Sequence, residues 1–201
     1  MSKSSLVEAI SSKDAKIGVI GLGYVGLPLA LAFTEEGFST KGFDIDVNKI
    51  KMINSGKSYI KHISQDRIDK AIKTGLTTTS DFSEIDYIDV IIICVPTPLG
   101  IHNEPDLSYI KGTLNSLKKY LRKNQLLILE STTYPGTTEE EIVPFVEKLS
   151  FNIGKDFFIG YSPEREDPGN KVFTTKTIPK IVSGQTKNCL YLTSKLYGNI
   201  V

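Results

Sequence analysis

The chain has 201 residues, enough for one domain with a full-sized core, since a chain of this length buries roughly 70% of its unfolded surface. Its 24 lysines and arginines stand against 23 aspartates and glutamates scattered along the sequence, so it holds no electrostatic attraction for nucleic acid or an anionic membrane. Two cysteines, Cys94 and Cys189, are too few for a disulfide framework and lack metal-ligand spacing, and no apolar run approaches the roughly 18 residues of a membrane span. No metal and no membrane are therefore expected, and a reducing cytoplasm is the expected compartment.

Residues 1 to 14 are polar with Leu6, Val7, Ala9 and Ile10 interspersed, and form an N-terminal arm that is either a short docked helix or mobile. Residues 15 to 201 then read as one dinucleotide-binding domain. A short apolar strand, Ile17 to Ile20, enters Gly21-Leu22-Gly23-Tyr24-Val25-Gly26, followed by a small-residue helical segment and a second apolar strand that stops at Asp44. Each glycine answers a different steric demand. Gly21 permits the tight turn off the strand, Gly23 leaves an unobstructed approach for a pyrophosphate, and Gly26 allows close packing of helix on sheet. The helix opens with N–H groups that have no partner within it, and with the positive end of its dipole, which together make an anion site. Pro28 falls in the first turn, where its missing N–H costs least.

Asp44 ends the second strand 18 residues after Gly26, where a carboxylate can accept hydrogen bonds from an adenosine ribose. A 2′-phosphate about 4 Å from it would meet repulsion of roughly 4 kcal/mol per unit charge at an effective dielectric near 20. The expected cofactor is therefore NAD rather than NADP.

Beyond Asp44, Val47, Ile50 and Ile53 mark a helix with Asp46 as N-cap and Gly56 as its stop; Lys49 in its first turns either reaches the ribose or is simply solvated. Gln65 to Thr74 reads as a helix ended by Gly75, and Leu76 to Thr79 as a short strand. The unbroken apolar run Asp89 to Val95 has the pattern of a parallel strand covered on both faces. Leu107 to Leu121 repeats apolar residues at three and four, a helix; Leu126 to Leu129 is a buried strand; Ile142 to Leu149 marks a helix with Glu139 to Glu141 in its first turn. Phe157 to Tyr161 and Lys180 to Ser183 read as strands, and Thr186 to Tyr197 as the last helix. This alternation predicts an α/β, Rossmann-like, doubly wound and mostly parallel sheet with helices on both faces, whose ligands sit at the carboxyl ends of the strands.

Three of those ends carry unusual chemistry: Val95-Pro96-Thr97-Pro98, then Glu130-Ser131-Thr132-Thr133-Tyr134-Pro135-Gly136-Thr137, then Tyr161-Ser162-Pro163-Glu164-Arg165. All three are expected to face one cleft, with the Thr97 hydroxyl near the nicotinamide half. His62 and His102 are isolated and read as surface residues. Cys94, in a buried strand, and Cys189, in a helix, read as inert packing.

Taken together, GLGYVGLPLA, FDID, VPTPL with EPDLSYI, ESTTYPGTT and YSPEREDPGN resemble the nucleotide-sugar 6-dehydrogenases, the family containing UDP-glucose and GDP-mannose dehydrogenases. The resemblance runs from Lys16 onward, and the last two motifs are closest to the branch acting on UDP-N-acetylhexosamines, with UDP-N-acetylglucosamine the expected substrate. It implies oxidation of a sugar C6 alcohol to a carboxylate, two hydrides passing to two NAD molecules through a thioester on a cysteine, in the service of polysaccharide synthesis. Carried over motif by motif, it places Gly21, Gly23, Tyr24, Val25 and Gly26 at the pyrophosphate and Asp44 and Lys49 at the adenosine ribose. Thr97, Ser131 and Thr132 fall at the nicotinamide side, with Thr132 and Glu164 assisting thioester hydrolysis, where a carboxylate suits the role of general base. Where UDP-glucose members carry a second glutamate this sequence has Pro168, and no role is carried there; Arg165 either faces the substrate's phosphate or carboxylate side or forms a structural ion pair.

Family members are roughly twice as long as this chain, and their nucleophilic cysteine lies in the half not represented, so the chain is expected to bind NAD without turning over sugar. The resemblance also suggests a homodimer formed through that other half. Two other readings stand beside it: a free-standing NAD-binding or sensing module, and the cofactor domain of a 3-hydroxyacid-type dehydrogenase.

Overall fold

The structure, a computed structural model, describes residues 3–100, 104–164 and 179–200. Arg165, Pro168 and His102 lie outside the described residues. The first described element is α1 (Lys3–Ser12), a helix whose Leu6 and Ile10, one turn apart, are fully buried where it packs against the last helix, α7 (Lys187–Tyr197). Burying two such side chains contributes roughly 1.5–3 kcal/mol each, enough to hold a short helix down. Of the two expectations for the N-terminal arm, residues 3–12 adopt the docked helix.

Among the described residues seven short strands follow: β1 (Ile17–Ile20), β2 (Thr40–Phe43), β3 (Leu76–Thr79), β4 (Val90–Ile93), β5 (Leu126–Leu129), β6 (Phe158–Tyr161) and β7 (Ser183–Gly184). They form one sheet in the order β3-β2-β1-β4-β5-β6-β7, parallel except for the antiparallel β6–β7 pair. The order reverses direction at β1–β4, which opens a crevice at the carboxyl ends of those two strands.

Strand side chains alternate between two cores. Ile17, Val19, Val90, Ile92, Leu126 and Ile128 face one, with α1, α2 (Gly26–Glu35) and α7; Ile20, Ile91, Ile93, Leu127 and Leu129 face the other, with α5 (Ser108–Leu117) and α6 (Val143–Lys148). Burial on both faces is why these strands read as unbroken apolar runs.

Helix ends follow local chemistry. Asp46 caps α3 (Val47–Asn54) by accepting from Asn48 N at 2.9 Å, and Gly56 ends it with φ +72° while Lys57 N donates back to Met52 O at 2.9 Å. α4 (Gln65–Thr74) stops at Gly75, φ +130°.

Two expectations are corrected, and one element is added. The helix expected to begin with Glu139 to Glu141 starts instead as a π-turn, Thr138–Ile142, before α6; Pro144 has no N–H for the Glu140 carbonyl, so the ladder is displaced there. The strand expected over Lys180 to Ser183 shrinks to β7, because Lys180 turns inward to an ion pair rather than along the sheet edge. A 3₁₀ turn, Phe82–Tyr87, went unanticipated, although Asp81 caps it by accepting from Ser83 N at 2.9 Å.

Candidate cofactor cleft

A cleft of about 1020 Å³ crosses the carboxyl ends of the strands, lined by the glycine turn, the tips of β2, β4 and β5, one face of α5 and Glu164. Its floor is the loop between β1 and α2. Gly21 has φ +89°, and a Cβ there would lie 2.6 Å from Cys94 O, so the tight turn admits no other residue comfortably. A Cβ on Gly26 would lie 1.9 Å from Gly21 O, so α2 can begin this close to the loop only without a side chain. At Gly23 the geometry differs: nothing lies within 4 Å of a Cβ position, and the space belongs to the cleft. The backbone is thus bare where a ligand would rest on it, beside the opening N–H groups of a ten-residue helix. Tyr24, 59% exposed, and Val25 stand at the same edge, the Tyr24 ring centroid 6.3 Å from that of His62.

Asp44 lies just past β2 at the cleft wall, 5% exposed. Its Oδ2 accepts from Leu22 N at 2.8 Å and from Lys49 Nζ at 3.2 Å, and its Oδ1 from Asp46 N at 2.9 Å. The carboxylate therefore ties the glycine loop to the start of α3 as well as facing the cleft. Lys49, for which the sequence left two readings open, is placed in the cleft and paired to Asp44. The Tyr59 hydroxyl donates to Leu22 O at 2.5 Å, so Leu22 is gripped at both its N–H and its C=O. Burial first, then the charges of Asp44 and Asp46, push that hydroxyl well above the usual tyrosine range. Beyond Asp44 the cleft turns apolar, with Ile45 80% exposed and Phe82 and Tyr109 among its lining.

The other half of the cleft is built from the turns after β4 and β5, stitched together. Ser131 Oγ donates to Val95 O at 2.9 Å, Thr97 Oγ1 donates to Thr132 O, and Tyr161 OH reaches Ser131 O at 3.4 Å. Ser131 is buried with its proton committed, whereas Thr132 is exposed to the cleft. Glu164, past β6, lines the same end. The structure thus brings together Gly21, Gly23, Tyr24, Val25, Asp44, Lys49, Thr97, Ser131, Thr132 and Glu164 around one cleft, while Gly26 sits behind the loop, packed against Gly21 and Cys94 rather than lining it.

One group was missed. Glu130 is 2% exposed at the end of β5, where Lys180 donates to its Oε1 and the Tyr197 hydroxyl to its Oε2. Burial pushes the Glu130 carboxyl up, opposed by the Lys180 charge and both hydrogen bonds; burial and the Glu130 charge push the Tyr197 hydroxyl up as well. Its signal in the sequence was parity, since Leu126, Ile128 and Glu130 share one face of the strand.

The two cysteines differ in place, since Cys94 stands at the cleft wall just past β4 whereas Cys189 lies in the core under α7. Cys189 is fully buried, and Cys94, 7% exposed, faces α2 with its Cβ 3.2 Å from the position a Gly26 Cβ would take. No cluster of metal ligands occurs among the described residues, and no described helix is long and apolar enough to cross a membrane. The bare floor at Gly23, the helix start beside it, the acid at the neighbouring strand tip and the hydroxyl-rich far end suit an extended dinucleotide, in a volume at the upper end of the roughly 300–1,000 Å³ usual for small-molecule sites.

Comparison with known proteins agrees. The profile of the UDP-glucose/GDP-mannose dehydrogenase family, NAD binding domain, matches residues 15–201. Among curated relatives, the protein CapL of Staphylococcus aureus is 41% identical over 189 residues, covering 94% of this chain and 44% of CapL. A UDP-N-acetyl-D-glucosamine 6-dehydrogenase of Pseudomonas aeruginosa is 39% identical over 190 residues, with the same coverage of 94% and 44%. The native structure of the UDP-N-acetyl-mannosamine dehydrogenase Cap5O from Staphylococcus aureus superposes with a TM-score of 0.86 at 31% identity, over 93% of this chain and 46% of that one. The chain spans less than half the length of these relatives.

Proposed function

Because the chain belongs to the UDP-glucose/GDP-mannose dehydrogenase family, as its NAD-binding domain, we propose that it is the cofactor half of a UDP-N-acetylhexosamine 6-dehydrogenase acting on UDP-N-acetylglucosamine. The observation that carries this reading is the open floor at Gly23 in a cleft that runs from Asp44 to Glu164. In this assignment the diphosphate lies over Gly21, Gly23, Tyr24, Val25 and Gly26. Asp44 accepts from the ribose hydroxyls through oxygens that each already hold one bond to a backbone N–H. Lys49, paired to that carboxylate, holds it aimed. The nicotinamide then falls among Thr97, Ser131 and Thr132.

Turning a primary alcohol into a carboxylate removes two hydrides and adds one oxygen from water, and NAD, when bound, supplies the hydride acceptor. This chain's residues orient it and manage protons. Thr132, exposed at the far end, hydrogen-bonds a water, and Glu164 accepts its proton in the hydrolytic step. Arg165, next in sequence to Glu164, is proposed to meet an anionic group of the substrate. The sulfur nucleophile is assigned to the further length that the relatives have, given the burial of Cys94 and Cys189. A homodimer and a cytoplasmic location are part of the same proposal.

Calorimetric titration of the chain with NAD and NADP tests the cofactor assignment. NAD is expected to bind and NADP more weakly by about one to two orders of magnitude, less than bare charge repulsion would give, because Lys49 offsets part of the Asp44 charge. Absence of NAD binding overturns it. For the substrate, a protein of full family length is expected to form NADH faster with UDP-N-acetylglucosamine than with UDP-glucose, and equal rates overturn the hexosamine assignment.

A further inference from the structure

Glu130 is a carboxylate buried in line with Leu126 and Ile128, both apolar core. An unpaired charge there would be costly, and it is met in place by Lys180 and Tyr197. The Lys180 ammonium also lies 5.4 Å from the centroid of the Tyr197 ring. These three side chains come from the end of β5, the approach to β7 and the last turn of α7, so the cluster fastens three segments, with Lys180 and Tyr197 lying 50 and 67 residues beyond Glu130 in the chain.

Its position in the cleft is specific. Glu130 immediately precedes Ser131 and Thr132, and its own N–H donates to Ile93 O at 2.8 Å, the last ladder bond before the β4 and β5 turns diverge. Beyond that bond two hydroxyl contacts join the turns, Ser131 to Val95 and Thr97 to Thr132. The direction in which Glu130 is pulled therefore sets where Ser131 and Thr132 stand across from Thr97. The adenosine end, by contrast, is held by Asp44 and Tyr59, which share no contact with this cluster among the described residues. An apolar trio of equal volume would satisfy the core without directing the turn.

We propose that Glu130, Lys180 and Tyr197 are positioning residues for the nicotinamide half of the cofactor, the buried ion pair fixing the β5 turn so that Ser131 and Thr132 stand at their working distance from Thr97. This rests on the NAD reading above.

The test compares NAD with ADP-ribose, which keeps the adenosine and diphosphate but lacks nicotinamide, by calorimetry on the 201-residue chain. Lys180→Met is expected to weaken NAD about tenfold while changing ADP-ribose by less than about twofold, and Lys180→Arg to restore most of the NAD affinity. Should circular dichroism show Lys180→Met unfolded, Tyr197→Phe removes one hydroxyl at constant shape and is expected to lower NAD affinity about threefold, again sparing ADP-ribose. Equal losses for the two ligands, or no loss for either, overturn the inference. Wild-type chain that binds neither ligand overturns the cofactor assignment and this inference with it, whereas normal wild-type binding with unchanged ratios in the variants overturns this inference alone.

Discussion

Asp44 already holds three hydrogen bonds from its own chain, and that shapes what its substitution reports. Asp44→Ala removes the ribose acceptor and also strands the buried Leu22 N–H, which costs about 1–3 kcal/mol of stability. It should therefore weaken NAD by about one to two orders of magnitude and lower the melting temperature of the cofactor-free chain as well. Asp44→Asn keeps the shape and an acceptor while losing the charge. Its melting temperature should fall less than that of the alanine variant, and a larger fall would remove the loop-tying role. Lys49→Met should sharpen the preference for NAD over NADP while lowering NAD affinity, because the uncompensated carboxylate repels a 2′-phosphate more strongly; parallel titrations with both nucleotides check it. Gly23→Val points into open cleft, so it should leave the melting temperature nearly unchanged and abolish NAD binding. Retained binding would take the diphosphate away from that loop.

Among the elements, α2 and the segment after α3 carry the loop. Gly26→Ala would drive a methyl against the Gly21 carbonyl and is expected to destabilise the fold itself, in contrast to the change at Gly23; thermal melts of the two variants separate these effects. Tyr59→Phe releases Leu22 O and should weaken NAD and ADP-ribose alike, by about fivefold, since it acts at the diphosphate. A selective loss of NAD alone would contradict this. Asp81, the cap of the 3₁₀ turn, and Asp106, which accepts from Ser108 N at 2.8 Å at the start of α5, have carboxyls held below the ordinary aspartate range by their bonds to Ser83 and Ser108. A depressed folded value means their contribution is present above that ordinary range and is lost as pH falls through the depressed value. Replacing both with alanine should therefore shrink the acid end of the stability profile, readable in melts taken from neutral pH downward. The π-turn before α6 was not visible in the apolar spacing of Ile142, Val146 and Leu149. That spacing is unchanged by one displaced hydrogen bond, and only Pro144 signalled it.

For the whole molecule, binding should register as stability. NAD at a hundred times its dissociation constant adds about 2.7 kcal/mol, which for a chain of this size raises the melting temperature by roughly 5–10 °C; no shift at that concentration would argue against a site on the folded state. Much of the cleft could be read in advance because it is made of local signals. A glycine run between strand and helix, an acid at a strand tip and an unbroken Val90–Ile93 run each announce themselves within a few residues. The Glu130 cluster did not, since Lys180 and Tyr197 reach it only after the sheet has closed, and the same inward turn of Lys180 shortened the expected strand to β7. Leu22, clasped at both backbone atoms before any nucleotide arrives, has one last consequence. Its ordering entropy is spent during folding, so nucleotide capture meets a finished surface rather than waiting on a loop. In stopped-flow fluorescence the observed association rate should climb linearly with NAD concentration, and a plateau would reveal a rearrangement ahead of encounter.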